Sequence, residues 1–358
     1  MNGNGLQKDG AGAGRNAGFE LLRVALSFEV VLDHYWQVGV GDASGVLWVL
    51  KYMRHLAVPC FMALSFYLSA AKFVSSDWSW YGRRLSRLIV PFWFWAVAAY
   101  VLLKIVSLAG GCEAVSLSDL LWQMALGSSP KLNRPLWFQA DLIILTIILF
   151  PLVRAVGRRW LWALLGVFAL GSVTLQYTGV SANFFSDFPW ESRYTLFRLT
   201  PMLLYVAVGL AAGLLLRTRF ESLGLRGRLV TMALSLWAVV LFIALGPKVF
   251  SPVPGPRLGY AGIELVAVAV PLLAFFGSLP FDRLPSVVSR VIESFSRYAI
   301  GIYCLHYILG IPMFRYVFPH IGLGQETIPA CVLLWFLSWG VCRLIALIPL
   351  EFCKRIVR

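Results

Sequence analysis

The feature that most constrains this chain is a series of about ten apolar runs, each long enough to cross a hydrocarbon layer as a helix of roughly 20 residues. They fall at roughly 19–41, 47–71, 87–109, 136–153, 160–178, 196–216, 229–246, 258–279, 295–318 and 328–350. Of 358 residues, 59% are hydrophobic and 13% charged, and the mean hydropathy is +0.77. A soluble domain carries about 25% charged residues. The expectation is an all-α, polytopic membrane protein with about ten transmembrane helices.

Charge sorts the connecting segments into two classes. One holds Lys8 and Arg15; Lys72, Arg83, Arg84 and Arg87; Arg154, Arg158 and Arg159; Arg217, Arg219, Arg226 and Arg228; Arg283 and Arg290; and Lys354, Arg355 and Arg358. The alternate class has Lys131, Arg134, Arg193, Lys248 and Arg257, with acids such as Asp42, Glu113, Asp119, Asp187 and Glu326. The positive-inside rule then places both termini in the cytoplasm, and the alternation agrees with an even number of spans. The formal net charge of +14 therefore speaks for topology and not for nucleic acid. Residues 1–18, rich in Gly, Asn and Ala, read as a disordered cytoplasmic tail, 19–350 as one transmembrane domain and 351–358 as a second cytoplasmic tail. Loops are short apart from about 110–135 and 179–195, and no internal repeat is visible. The first apolar run is too long for a signal peptide. Six cysteines follow no CxxC or metal-ligand spacing and read as small buried hydrophobes, so no metal is expected.

Four constellations carry chemistry. Arg23 and His34 lie eleven positions apart in the first run. Eleven steps of about 100° make three turns, so both side chains share a stripe, roughly 16 Å apart along the axis. Ser27 falls between them, whereas Glu29 and Asp33 share a different face. Ionisable residues at that depth are costly and by default functional, and this pair suits an anionic ligand and a proton. The competing reading makes His34 interhelical glue. Next, in Tyr81–Pro91, Arg84 and Arg87 are three apart and share a face if the stretch is helical, with Arg83 beside them. Guanidinium forks match phosphate; the competing reading is a topology anchor on anionic lipid.

The third constellation, Asn133-Arg-Pro-Leu-Trp-Phe-Gln139, opens the fourth run with a backbone-breaking Pro135 and an interfacial Trp137, and an aromatic belt is the plainer reading. Asp141, one turn deeper, needs a partner that the sequence does not name, and Glu264 raises the same question. The fourth, Ser296-Arg-Tyr-Ala-Ile-Gly-Ile-Tyr-Cys-Leu-His306, sets Tyr303 and His306 on one face, with Gly301 permitting close helix approach. A packing seam with hydrogen-bonded polar tips is its alternative.

In this order, the four pieces resemble the acyltransferase 3 family of bacterial membrane acyltransferases. That family carries Arg-x10-His in its first helix, matched by Arg23 and His34, and Arg-x-x-Arg before its third, matched by Arg84 and Arg87. Its Leu-Trp-Phe element is matched by Leu136, Trp137 and Phe138. Tyr303, Leu305 and His306 resemble its late Ser-Tyr-x-x-Tyr-Leu-x-His segment, with Ala299 where a serine is common and Cys304 between Tyr303 and Leu305. The resemblance covers about 19–350. It implies acyl transfer, most often of acetyl from cytoplasmic acetyl-CoA, to a hydroxyl of a surface polysaccharide, lipopolysaccharide or lipid-linked glycan, in the bacterial inner membrane.

By the same resemblance, His34 and Arg23 are the catalytic residues and Arg83, Arg84 and Arg87 the acyl-CoA site. Trp137, Asp141, Tyr303 and His306 are acceptor-side or structural. His34 would act as general base or carry the acyl group, and Arg23 would hold a phosphate or polarise the thioester. The implied partners are acyl-CoA, the glycan acceptor, membrane lipid and a glycan-assembly protein. The other functional class is a secondary transporter or flippase with intramembrane His, Asp and Glu as a proton relay. Against it, the chain has no inverted repeat and no paired Gly/Pro-broken helices in corresponding halves.

Overall fold

Lipid offers the backbone no hydrogen-bond partner, and the chain meets that condition with helices. The computed structural model describes residues 16–35, 56–108, 115–127, 132, 135–177, 190–250, 265–279, 284–323 and 327–358, with no strand among them. In chain order the helices are α1 (Ala17–Tyr35), α2 (Ala57–Ser75), α3 (Trp78–Leu108), α4 (Leu117–Leu126), α5 (Leu136–Tyr177), α6 (Trp190–Leu215) and α7 (Arg217–Ser222). They continue as α8 (Leu225–Phe250), α9 (Val266–Ser278), α10 (Ser286–Arg297), α11 (Ala299–Pro312), α12 (Ile328–Leu347) and α13 (Glu351–Val357). Residues 1–15, Asp42, Cys112, Glu113, Lys131, Asn133, Arg134, Asp187, Arg257, Glu264, Arg283 and Glu326 lie outside the described residues.

Seven helices among the described residues are long and apolar enough to cross a membrane. One of them is twice the needed length. The apolar part of α5 runs for 40 residues, about 60 Å at 1.5 Å per residue, against a hydrocarbon core of about 30 Å. Gly157 divides it, with φ +64° and ψ 177°, between Arg154 on one side and Arg158 and Arg159 on the other. That break falls in the basic loop expected between the fourth and fifth runs. The helix α1, with Glu20, Arg23, Glu29 and Asp33, and the 13-residue α9 fall outside the seven. Lipid-facing stripes are plain on α3, where Trp93, Val97, Val101 and Ile105 recur every four residues and are exposed.

Two boundaries differ from expectation. The supposed loop at 110–135 contains α4, started by a capping box in which Ser116 and Asp119 satisfy each other's backbone N–H groups and ended by Gly127 at φ +68°. The supposed tail at 351–358 is α13, which is docked: Ile356 and Val357 are buried, and the Trp95 indole donates to the Ile356 carbonyl at 2.8 Å. At the other end, Asn16 accepts from Gly18 N–H at 2.9 Å and donates to the Gly277 carbonyl at 3.0 Å, so order begins before residue 18.

Tight packing rests on small residues. Gly209 and Gly213 of α6, one turn apart, lie against the backbone of Ala63 and Tyr67 in α2, with the Ala70 methyl beside Gly213. This small-xxx-small seam lets two helix backbones meet where lipid supplies no hydrophobic drive between them. Gly301 of α11 does the same against Cys342 and Val357, as the sequence leads one to expect. α1 is the hub on the other side, packed by α2, α9, α10, α11 and α12. Gly213→Leu is expected to force α2 and α6 apart, an overpacking cost of about 1–3 kcal/mol or more. Its measurable form is a Tm several degrees lower in detergent; an unchanged Tm would mean that the seam adjusts freely.

Candidate functional site

The site is built where α1 meets α11. Leu22, Leu26 and Val30 bury one stripe of α1 and fix its rotation. The polar stripe that this leaves is partly spent on anchoring. Arg23 Nη1 donates to Glu20 Oε1 at 3.1 Å, and the other Glu20 oxygen accepts from the Ser296 hydroxyl of α10. Ser27 Oγ donates to the Val24 carbonyl at 2.8 Å and accepts from the Trp335 indole of α12 at 3.0 Å. Glu29, on the other face, accepts from the Ala57 N–H at 2.9 Å and so caps the start of α2.

One step before the end of α1, the half-buried His34 ring lies 5.3 Å from the fully buried ring of His306, centroid to centroid, and 5.8 Å from Tyr307 edge-on. Gly310 has no side chain where the Tyr35 ring passes, and the Tyr35 hydroxyl donates to the Tyr307 carbonyl at 3.0 Å. A larger residue at 310 would push α1 away. Tyr307 also lines a shallow apolar crevice between α3 and α11, with Leu102, Leu103, Val106 and Ile311.

The third constellation joins the fourth. The Tyr303 hydroxyl donates to the Pro135 carbonyl, its ring meets Phe138 at 5.6 Å and His306 at 6.1 Å. Gln139 donates to the Leu88 carbonyl at 2.9 Å, about one turn before Pro91 inside α3, and accepts from Cys304 Sγ at 3.2 Å. The amide thus pins three helices at one point. Four of the sequence-selected residues, His34, Phe138, Tyr303 and His306, are thereby brought into one neighbourhood.

The basic constellation stands apart and is divided. The Tyr81–Pro91 stretch is helical, yet Arg84 turns inward and Arg83 and Arg87 stay exposed. Arg84 donates to Ser69 Oγ at 2.6 Å and Ser65 Oγ at 3.1 Å, within 5.4 to 5.8 Å of the rings of Phe66, Phe73 and Trp80. Aromatic faces and hydroxyls, not a carboxylate, hold its charge. Arg84 and Arg87 are thus neighbours on one helix, as expected, but only Arg87 is exposed.

Asp141 has the partner that sequence reasoning lacked. Arg198 of α6 grips it with Nε at 3.1 and 2.9 Å and Nη2 at 2.7 Å, both side chains fully buried. Nη2 also donates to the Leu126 carbonyl at the end of α4, at 3.0 Å, and the guanidinium lies 5.0 Å from the Trp137 ring. One arginine thus ties α4, α5 and α6 together. Its signal was present, since a lone arginine at the mouth of the sixth apolar run needs an anion as much as Asp141 needs a cation. Arg198→Met alone should strand a buried carboxylate and cost about 3–5 kcal/mol, whereas adding Asp141→Leu should restore most of the loss. Thermal unfolding of both variants in detergent checks this, and equal losses would refute the coupling.

The whole arrangement lies within the segment matched by one family model, described as an acyltransferase domain, over residues 16–347. No curated protein and no solved structure gives a match. A match of that extent over an all-helical membrane bundle settles the family: the chain belongs to the acyltransferase 3 family and is a membrane-embedded acyltransferase.

Proposed function

We propose that this acyltransferase moves an acetyl group from cytoplasmic acetyl-CoA to a hydroxyl of a surface polysaccharide, lipopolysaccharide or lipid-linked glycan, in the bacterial inner membrane. In this reading about ten spans put both termini in the cytoplasm, as the alternation of basic loops supports. A glycan-assembly protein is the natural neighbour. The observation that carries the reading is the His34 imidazole, set in a cluster of buried polar groups in a chain whose family transfers acyl groups.

His34 either removes the proton of the acceptor hydroxyl as it attacks the thioester or takes up the acyl group briefly itself. Arg23, about three turns toward the cytoplasmic end, keeps a side chain 34% exposed, and it holds a donor phosphate or polarises the thioester carbonyl. The cluster of Arg83, Arg84 and Arg87 receives the phosphates of the donor. The two exposed guanidiniums make the contacts, and Arg84 anchors the helix beneath them. Trp137, Tyr303 and the apolar crevice at Tyr307 are on the acceptor side, where a lipid-linked hydroxyl would approach. The transporter reading has no observation of its own in favour of it beside the family match.

The direct test is mass spectrometry of surface glycans and lipids from cells with and without the protein, paired with release of CoA by the purified protein. Unchanged acylation together with no turnover of acetyl-CoA would reject the proposal. His34→Gln should cut turnover by about 10²–10⁴-fold, the usual weight of a general base, while acetyl-CoA binding persists. Retained turnover would demote His34 to a packing role. Arg87→Ala should raise KM for acetyl-CoA about tenfold, with poor rescue by lysine because the planar fork is lost. Steady-state kinetics at varied donor concentration reads this, and an unchanged KM would return the cluster to topology alone.

A further inference from the structure

Among the described groups of the α1–α11 cluster, His306 keeps a buried ring nitrogen unpartnered. Its ring is fully buried, and Nδ1 lies 3.1 Å from the Ile302 carbonyl oxygen. A carbonyl oxygen only accepts, so Nδ1 carries the hydrogen, and in a neutral imidazole Nε2 is then a bare acceptor. Nε2 is buried and has no hydrogen-bond partner among the described residues. Buried polar atoms are nearly always partnered, and an exception asks for an explanation. A residue placed only to fill space would be better served by leucine or phenylalanine, which leave nothing unsatisfied.

The surroundings narrow what His306 Nε2 is for. The Tyr303 hydroxyl is committed to the Pro135 carbonyl and the Tyr35 hydroxyl to the Tyr307 carbonyl. Among the described residues, the imidazole that lies against His306 is His34, at 5.3 Å between centroids and 34° between planes. That centroid separation is the one at which two imidazoles set nitrogen to nitrogen lie at a hydrogen-bond distance of about 3 Å. Gly310 against Tyr35 holds the two helices in this register.

We propose that His306 is the positioning residue for His34. Its bare Nε2 accepts the N–H of one His34 nitrogen, which fixes the tautomer and leaves the other His34 nitrogen free of hydrogen toward the acceptor hydroxyl. The Ile302 carbonyl, His306 and His34 then form a relay of orientation, the job a carboxylate performs behind a catalytic histidine in other enzymes. The assignment rests on the reading of His34 as the base. During transfer, the hydroxyl proton moves to the bare His34 nitrogen as the oxygen–carbon bond forms and the carbon–sulfur bond of the thioester breaks. The proton then passes to the leaving thiolate. The hydrogen between the two histidines stays shared throughout, so His306 gains no net proton and no further reactant is needed.

The test uses the full chain in nanodiscs, with acetyl-CoA as the probe and CoA release as the rate. The protein has 4 histidines, few enough for ¹⁵N-labelled imidazole signals to be assigned by solid-state magnetic resonance. In the wild-type protein His34 should show one tautomer with a hydrogen-bonded N–H and His306 an unprotonated Nε2. His306→Leu removes the acceptor: His34 should become a tautomer mixture, and kcat should fall at least tenfold with KM for acetyl-CoA unchanged. His306→Gln puts an amide oxygen near the place of Nε2 and should recover the single tautomer and much of the rate. A protonated Nε2 on His306, or a tautomer mixture at His34 in the wild-type protein, overturns the proposal even if the leucine variant fails to fold. So does an unchanged His34 signal in His306→Leu. Failure of the base reading is seen separately, as full turnover in His34→Gln, because the tautomer signals do not depend on turnover.

Discussion

A carboxylate inside hydrocarbon has no water to retreat to, and the architecture around Asp141 follows from that. Breaking such a pair leaves a charge that nothing else can solvate, so Asp141 and Arg198 commit their helices to each other. Because Arg198 also holds the Leu126 carbonyl and lies over Trp137, the commitment extends to α4 and to the opening turn of α5. That turn carries Phe138 and Gln139, which reach α11 through Tyr303 and Cys304. The position of the histidine cluster is thus downstream of an ion pair that takes no part in it.

Much of this was legible in the residues. The apolar runs, the polar stripe of α1, the close approach at Gly301 and the pairing of Tyr303 with His306 on one face follow from periodicity and residue size. What escaped was of two kinds. Partners distant in sequence, such as Arg198 for Asp141 and Trp335 for Ser27, are set by tertiary packing that no local pattern encodes. Signals of the second kind were local but weak against their surroundings. The Ser116–Asp119 capping box announces α4, yet ten residues between long apolar spans look like a loop until the cap is read. The same holds for α13, whose charges suggest a solvated tail while its apolar Ile356 and Val357 face inward.

The arginine cluster shows how one helical step changes a role. Arg83, Arg84 and Arg87 are alike as a motif, but only Arg84 falls where Phe66, Phe73 and Trp80 converge. Its guanidinium can be buried there without a counter-ion because it is weakly hydrated and its planar face suits aromatic rings. A lysine would have neither property, and that separates a structural arginine from its exposed neighbours more sharply than its spacing does.

The long-range ties have a consequence for how the molecule is made. Trp95 meets its acceptor 261 residues later, Glu20 is joined to Ser296 across 276 residues, and Ser27 to Trp335 across 308. Membrane insertion proceeds from the amino end, so α1 and α3 wait in the bilayer with polar groups unmet while most of the chain is translated. During that interval, neighbouring helices, lipid headgroups or the insertion machinery must shelter them. The cluster around His34 comes into being only when α11 arrives. An unfinished chain therefore lacks the site proposed for acyl transfer until assembly is nearly over.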